Sequence, residues 1–218
     1  MQAKWIKGAT IAVALTAGWL AGMASSSLTK AKTPRFPELT VAQLNDQQRP
    51  IAEHILTFSR VGIAGPYHIL LRSPQAAQQI INLMDYVRFQ STVPNRLREF
   101  AIMIQGRLWR SQVEWAGHYD PAIKAGVSAE TLAALKSNKR PTTMKPDEAA
   151  VYDFCMELYT KHEVSDGTYD RLHQVLNDQQ IVDLTLLSGL YVTVASVMAM
   201  AEQGLPPGWE LGFKPGEP

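Results

Sequence analysis

The segment from Asp178 to Gln203 is the most apolar stretch of this 218-residue chain, and it strongly limits the folds that the chain can adopt. A run such as "IVDLTLLSGLYVTVASVMAMAEQG" either crosses a membrane or forms the central helix of a helical core. Asp183 and the many Ser, Thr and Gly residues disfavour a membrane span, where a charge is costly. We therefore predict a long helix that ends at Gly204 and is buried in the core or at a subunit interface.

Helix start and stop signals divide the chain ahead of this segment. Two sites suit helix starts: Ser73 followed by Pro74, and Pro146. The N–H groups of the first turn have no partner within a helix, so proline, which has no N–H, is tolerated there. Gly126 suits a helix end, and Ser128 suits the N-cap of a short helix. Apolar residues recur at three- and four-residue spacing between these signals, and no convincing strand or hairpin pattern occurs. The sequence therefore predicts an all-α fold.

Length and charge indicate one globular domain without nucleic acid as a partner. Hydrophobic residues make up 46% of the chain, and the length suits a single core, which we place at residues 41–210. The formal net charge is +1, with no run of Lys and Arg. Binding to phosphate backbones needs a clustered basic surface, so nucleic acid is not an expected partner.

The first residues resemble an export signal. Two lysines in "MQAKWIKG" precede the apolar "ATIAVALTAGWLAGMA", and small residues then offer a cleavage site after Ala24. We predict a signal peptide at residues 1–24, a flexible tether at 25–40, a periplasmic or secreted domain that is not in the membrane after cleavage, and a tail at 211–218. An uncleaved membrane anchor is the alternative, because the apolar run is close to the minimum length of a span.

Three polar residues share one face of a predicted helix. Glu114 and His118 are four residues apart, and Ser111 lies two turns before His118. An imidazole beside a carboxylate can act as a general acid/base dyad. The alternative is an ordinary helical ion pair worth about 0.2–0.5 kcal/mol. The other histidines lack ligand-like spacing, so no metal site is predicted. Cys155, the single cysteine, has apolar neighbours that indicate a core position.

A longer pattern resembles a known family. The stretch "LREFAIMIQGRLWRSQVEWAGHYDPAIKAGVSAETLAAL" is similar to the core of the carboxymuconolactone decarboxylase family, which includes the AhpD-like alkylhydroperoxidases. "HILLRSPQAAQQIINLMDYVR" and the segment from "YDFCMELY" to "ASVM" extend the resemblance from about His54 to Pro207. The resemblance implies an all-helical, AhpD-like domain in a homo-oligomer, either a trimer or a hexamer. We expect a small-molecule substrate and no cofactor.

The resemblance also assigns site residues. The peroxidase branch has a Glu, then a C-x-x-C pair, then a His four residues after the second Cys. These positions hold Glu99, Ser111, Glu114 and His118, so both thiols are missing. Peroxide reduction needs a reactive thiolate and a resolving thiol. The resemblance therefore favours the decarboxylase-like branch over thiol peroxidase activity.

A decarboxylase-like site needs a cation for the substrate carboxylate and an acid that protonates the product carbanion. We predict His118 as the proton donor, oriented by Glu114, with Glu99 as a second acid/base or a support for His118. The residues predicted to contact substrate are Ser111, Arg98, Arg107, Arg110, Trp115 and His68. The leading hypothesis is an exported lyase-type enzyme for a small carboxylate or lactone. A non-catalytic binding module of the same fold and a redox role for Cys155 are the alternatives.

Overall fold

A computed structural model describes residues 33–214, and these residues are all-α, as the sequence predicts. The predicted signal peptide, the first part of the tether and the last four residues of the tail lie outside this range. A 3₁₀ turn at Val41–Gln43 comes first, and a π-helical turn at Tyr86–Gln90 extends the third helix. The helices are α1 (Arg49–Phe58), α2 (Tyr67–Leu70), α3 (Pro74–Asp85), α4 (Asn95–Leu108), α5 (Gln112–Ala125), α6 (Ala129–Lys136), α7 (Pro146–Thr160), α8 (Asp166–His173) and α9 (Asp178–Ala201).

Helix α4 is the centre of the fold, and it packs against α5, α7 and α9. Every residue from Phe100 to Arg107 is buried. The contact with α5 is close at Gly106, where an added Cβ would lie 3.3 Å from the Cβ of Glu114. A larger side chain at this position would push the two helices apart, so glycine permits the close approach that sets α5 and its polar residues against α4.

Helix α9 has the core position that its composition predicts. It is the one helix among the described residues that is long and apolar enough to cross a membrane, yet half of its most apolar window is buried inside the protein. Its buried Asp183 accepts hydrogen bonds from Ser91 Oγ at 2.8 Å and from the Tyr86 hydroxyl at 3.3 Å. These bonds compensate a carboxylate in the core, so α9 is built to pack against protein on this side.

Most predicted helix boundaries agree with the structure. Gly126 ends α5 with φ at +98°, in the left-handed region that glycine adopts at little cost. The Ser128 hydroxyl accepts the Thr131 N–H and so caps α6. The sequence did not indicate α2 or the π-helical turn. The first has a single turn, too short for a periodic pattern, and the second continues the periodicity of α3.

The described ends of the chain pack onto the helices. The Arg35 N–H in the predicted tether donates to the carbonyl of Ala201 at 2.8 Å. Within the predicted tail, Phe213 is buried and meets the Trp115 ring edge-on at 5.7 Å. Its carbonyl accepts a hydrogen bond from the Gln112 side chain at 2.8 Å. Residues 33–40 and 211–214 therefore contribute to the packed structure.

Candidate active site

A cavity of about 90 Å³ lies between the end of α1, the following loop, the π-helical turn, α5 and α9. Apolar side chains form much of its wall, and Trp209 from the C-terminal segment closes one side. The polar residues that line it are Ser59, Arg60, Tyr67, Arg88, Glu114, His118 and Tyr191. An apolar cavity with a few convergent polar groups is the usual form of a small-molecule site.

His118 lies in the middle of a buried hydrogen-bonded chain. Its Nδ1 is 2.8 Å from Oε2 of Glu99 on α4, and its Nε2 is 3.1 Å from the Tyr191 hydroxyl on α9. The Glu99 carboxylate can only accept, so Nδ1 carries the proton and donates it to this bond. Nε2 then accepts from the Tyr191 hydroxyl. Three helices thus fix both the orientation and the tautomer of the imidazole.

Burial and charge set the protonation of this pair. Burial lowers the pKa of His118 below its ordinary value, although Glu99 acts in the opposite direction. Burial raises the pKa of Glu99, but the hydrogen bond and the charge of His118, together with the charges of Arg88 and Arg98, more than offset this, so its pKa lies below the ordinary value. At neutral pH the pair therefore holds an ionised Glu99 and a neutral imidazole that can accept a proton.

Glu114, unlike Glu99, is a buried carboxyl group without a hydrogen-bond partner among the described residues. It is 3% exposed, and neither carboxylate oxygen has a hydrogen-bond partner among the described residues. Burial raises its pKa to about 7. An unpaired carboxylate costs several kcal/mol in such surroundings, so the group is mostly protonated below pH 7. The cavity therefore contains a carboxylic acid beside the basic imidazole.

The predicted pairing of His118 with Glu114 is wrong. The two residues share a face of α5, but the imidazole bonds to Glu99, which is 19 residues earlier in the sequence. Helical spacing places two side chains near each other without excluding a closer partner from another helix. The close packing of α4 on α5 supplies that partner. Glu99 therefore orients His118, and Glu114 is left with no bond to it.

The three arginines predicted to bind substrate lie outside this cavity. Arg98 donates to the carbonyl of Ser91 at 3.0 Å. Arg107 is buried and donates through Nε to the carbonyl of Lys136 at 3.0 Å. Arg110 is exposed and lines a separate cavity at the start of α5. The predicted carboxylate contacts of these arginines are wrong for this cavity, because helix faces that cannot be ranked from sequence turn them elsewhere.

The remaining predicted contacts also lie elsewhere. Ser111 is the N-cap residue of α5 and lines the same separate cavity as Arg110. Trp115 is buried against Phe213 and lines a third, more open cavity. His68 is completely buried, with Nε2 3.1 Å from Oε1 of Gln203. None of the three lines the cavity that holds His118, so they are packing residues with respect to it.

Sequence analysis missed two arginines that do line the cavity. Arg60 follows α1, and its Nη2 donates to the carbonyl of Gly117. Arg88 is half-buried in the π-helical turn. The available signal for Arg88 was its position between two apolar residues, Val87 and Phe89. Arg60 lies in a loop far from the motif and gave no comparable signal.

Comparison with known proteins identifies the fold. No protein-family model and no curated protein sequence matches the chain. Among solved structures, a peroxidase-related AhpD-core protein from Ralstonia eutropha JMP134 matches with a TM-score of 0.66 and 14% identity over 80% of this chain and 93% of the other. A peroxidase-related protein from Silicibacter sp. TM1040 gives 0.62 and 15% over the same shares. A protein of unknown function from Agrobacterium tumefaciens, a candidate AhpD of antioxidant defence, gives 0.56 and 17% over 62% and 93%. The chain has an AhpD-like helical fold.

The single thiol of this AhpD-like chain is in a poor place for redox chemistry. Cys155 on α7 is completely buried, with Sγ 3.8 Å from Ser188 Oγ. Burial raises the pKa of the thiol to about 12. Thiolate is the reactive form, so this environment suppresses its reaction with peroxides or disulfides.

We expect Cys155 to resist alkylation in the folded protein. Iodoacetamide at pH 8 should leave the intact mass unchanged, whereas the same treatment in concentrated denaturant should add one alkyl group. Rapid modification of the native chain would contradict the buried position and would restore a redox role as an alternative.

Proposed function

We propose that the protein is an exported enzyme with acid/base chemistry on a small carboxylate or lactone, of the carboxymuconolactone decarboxylase-like type. The supporting observation is the pair of buried carboxyl groups with opposite pKa shifts. The pKa of Glu99, which bonds to His118, is lowered, and that of Glu114, which lines the same cavity as His118, is raised to about 7. Environments that separate two carboxyl groups in this way commonly assign one as a charged support and the other as an acid. A homo-oligomer is part of the same proposal.

The residues would act as follows. In a proton-transfer reaction, Nε2 of His118 takes a proton from a substrate carbon by way of the Tyr191 hydroxyl, which bonds to it, and returns that proton to another substrate atom by the same route. The Glu99 carboxylate stabilises the imidazolium that forms in between. In a decarboxylation, the C–C bond to the carboxylate breaks, CO2 leaves, and its electron pair remains on a carbon next to a carbonyl group. Glu114 then donates its proton to that carbon and is reprotonated from water. This assignment exchanges the sequence-based roles, because the burial of Glu114 makes it the better donor.

A peroxide-reducing function has less support, although the structural relatives include peroxidase-related proteins. Ser111 and Glu114 occupy the two positions at which the sequence resemblance expects thiols. Cys155 is the single cysteine of the chain, and its thiol has a raised pKa. A catalytic disulfide within one chain needs two thiols, so this chain lacks the groups for that cycle.

The test is an assay of CO2 release and lactone consumption with the full chain and a panel of small carboxylated lactones. We expect turnover of at least one member, and we expect Glu99→Gln to lower kcat by at least about tenfold, because the imidazolium loses its counter-charge. The exposed Glu130 on α6 supplies the control, since Glu130→Gln removes a carboxylate far from the cavity. Saturable binding without turnover of any panel member would contradict the enzyme and support the binding module.

A further inference from the structure

Arg88 is a cation without a hydrogen-bonded partner. Its guanidinium lines the cavity and lies over the Phe89 ring at 4.9 Å, and no described residue accepts a hydrogen bond from it. The charge of Arg88 acts on Glu99, but the Glu99 carboxylate is already bonded to His118. A guanidinium taken partly out of water loses hydration that its five N–H donors would otherwise keep. Arg88 therefore presents unused donors to whatever occupies the cavity.

Arg60 lines the same cavity and bonds to a backbone carbonyl of α5 that has lost its usual helical donor. In a regular helix, the carbonyl of Gly117 accepts the N–H of the residue four positions later. That residue is Pro121, which lies inside α5 and has no N–H. Nη2 of Arg60 donates to the Gly117 carbonyl in its place. Because Gly117 directly precedes His118, this bond anchors the Arg60 guanidinium beside the imidazole.

The charges of the site match one negative charge on the ligand. Arg60, Arg88 and the neighbouring Arg98 supply three positive charges, and Glu99 and Asp85, whose charges both act on Arg88, supply two negative charges. His118 is neutral and Glu114 is protonated at slightly acidic pH, for the reasons given above. One positive charge therefore remains, and a monoanion neutralises it, whereas a phosphate dianion would leave an excess of negative charge in a poorly solvated space. A planar carboxylate also fits the guanidinium fork.

The size and lining of the cavity limit the rest of the ligand. Its volume of about 90 Å³ is below the roughly 150 Å³ of an engineered cavity that binds benzene. Phe58, Met84, Val113, Val194 and Trp209 supply apolar wall. The buried part of the ligand is therefore a small group with a hydrocarbon face, and it lies near Glu114, whose proton can bond to a neutral carbonyl oxygen.

We propose that Arg60 and Arg88 together bind the carboxylate of a small monoanionic organic acid, and that the missing N–H at Pro121 positions Arg60 for this contact. The proposal deepens the function proposed above by naming the substrate class and the residues that select it. Arg60 and Arg88 are binding residues, and Pro121 is a positioning residue that acts through the Gly117 carbonyl.

The test is direct binding, measured by calorimetry at pH 6.5 with the full chain. The probes are 5-oxotetrahydrofuran-2-carboxylate, its methyl ester and inorganic phosphate. We expect the acid to bind at least about tenfold more tightly than the ester or phosphate. Arg88→Gln should lower the affinity for the acid by about 10- to 100-fold, as expected for loss of a hydrogen bond to a charged group. Lys124→Gln, which removes an exposed positive charge from α5, should leave all affinities unchanged.

The variant Pro121→Ala tests whether Pro121 positions Arg60, without a loss of protein stability that could explain weaker binding. It removes a proline from a helix interior, so the variant should be at least as stable as the parent, and it returns an N–H that competes with Arg60 for the Gly117 carbonyl. We expect a several-fold loss of acid affinity, no loss of ester affinity, and a smaller effect of Arg60→Gln in this background than in the parent. A double-mutant cycle measures this coupling.

Two results would overturn the proposal. One is equal binding of acid and ester, or tighter binding of phosphate. The other is unchanged acid affinity in Arg88→Gln and Arg60→Gln. Different results would contradict the proposed enzyme activity and the proposed carboxylate site. Binding of the acid through both arginines without turnover of any lactone would remove the proposed chemistry and leave the carboxylate site. Turnover that is unaffected in both arginine variants would remove the site and leave the chemistry.

Discussion

His118→Ala is expected to lower kcat/KM for a turned-over lactone by at least about 100-fold, which is the usual loss when a positioned acid/base group is removed. The reason is that Glu99 holds the imidazole and its basic nitrogen is bonded to the Tyr191 hydroxyl, which lines the cavity. Steady-state kinetics on the full chain measure the change. His173, which is exposed and bonds to Asp178, supplies the control, and His173→Ala should change the rate by less than about twofold.

The pH dependence of activity is a second test of the role of His118. Activity should fall on the acid side below the ordinary histidine pKa of 6.5, because burial lowers the pKa of His118. It should fall on the alkaline side near pH 7, where Glu114 loses its proton. A narrow bell-shaped profile follows. A rate unaffected by His118→Ala, or an acid limb above pH 6.5, would contradict this assignment.

Glu114→Gln is expected to stabilise the protein at alkaline pH, by about 3 kcal/mol at pH 8. The pKa of Glu114 rises from 4.5 to about 7 on folding. Between these values the native state binds a proton that the unfolded state does not, so the free energy of unfolding falls as the pH rises, by about 1.36 kcal/mol per pH unit. The loss is complete above pH 7. The amide of glutamine stays neutral and avoids it.

Denaturant unfolding from pH 4 to pH 9, at one fixed protein concentration, measures this difference. The parent and Glu114→Gln should have similar stability near pH 4 and should diverge between pH 4.5 and pH 7. Glu130→Gln changes an exposed carboxylate and should run parallel to the parent throughout. Parallel curves for Glu114→Gln would show that Glu114 is not protonated in the native cavity, and its role as proton donor would then be lost.

The helices could be predicted because their signals are local. Pro74, Pro146, Gly126 and Ser128 act on backbone dihedral angles and hydrogen bonds within one turn, and the structure uses each of them at a helix boundary. The composition of α9 predicted a core helix for a similar reason, since so apolar a segment must be buried somewhere. The elements that were missed, α2 and the π-helical turn, are those without a local pattern of their own.

The candidate site could be predicted only in part. The pattern around Glu99 and His118 identified two residues that the structure joins at 2.8 Å. It offered Glu99 as a support for His118 only as one of two roles and made Glu114 the orienting residue, because Glu114 is the nearer carboxylate in sequence. Arg60 and Arg88 could not be selected over Arg98, Arg107 and Arg110, because all five have the same chemistry and only packing decides which side chains face a cavity.

The sequence by itself determined the helical class, the main helix boundaries and the residue types at the site. Tertiary structure alone decided that α4 supplies the partner of His118, that Glu114 remains unpaired and protonated, and that Pro121 leaves a carbonyl for Arg60. The physical reason is that helical periodicity assigns a residue to a face of its own helix but does not say which helix lies opposite. Burial, and with it the pKa of a carboxyl group, depends on that neighbour.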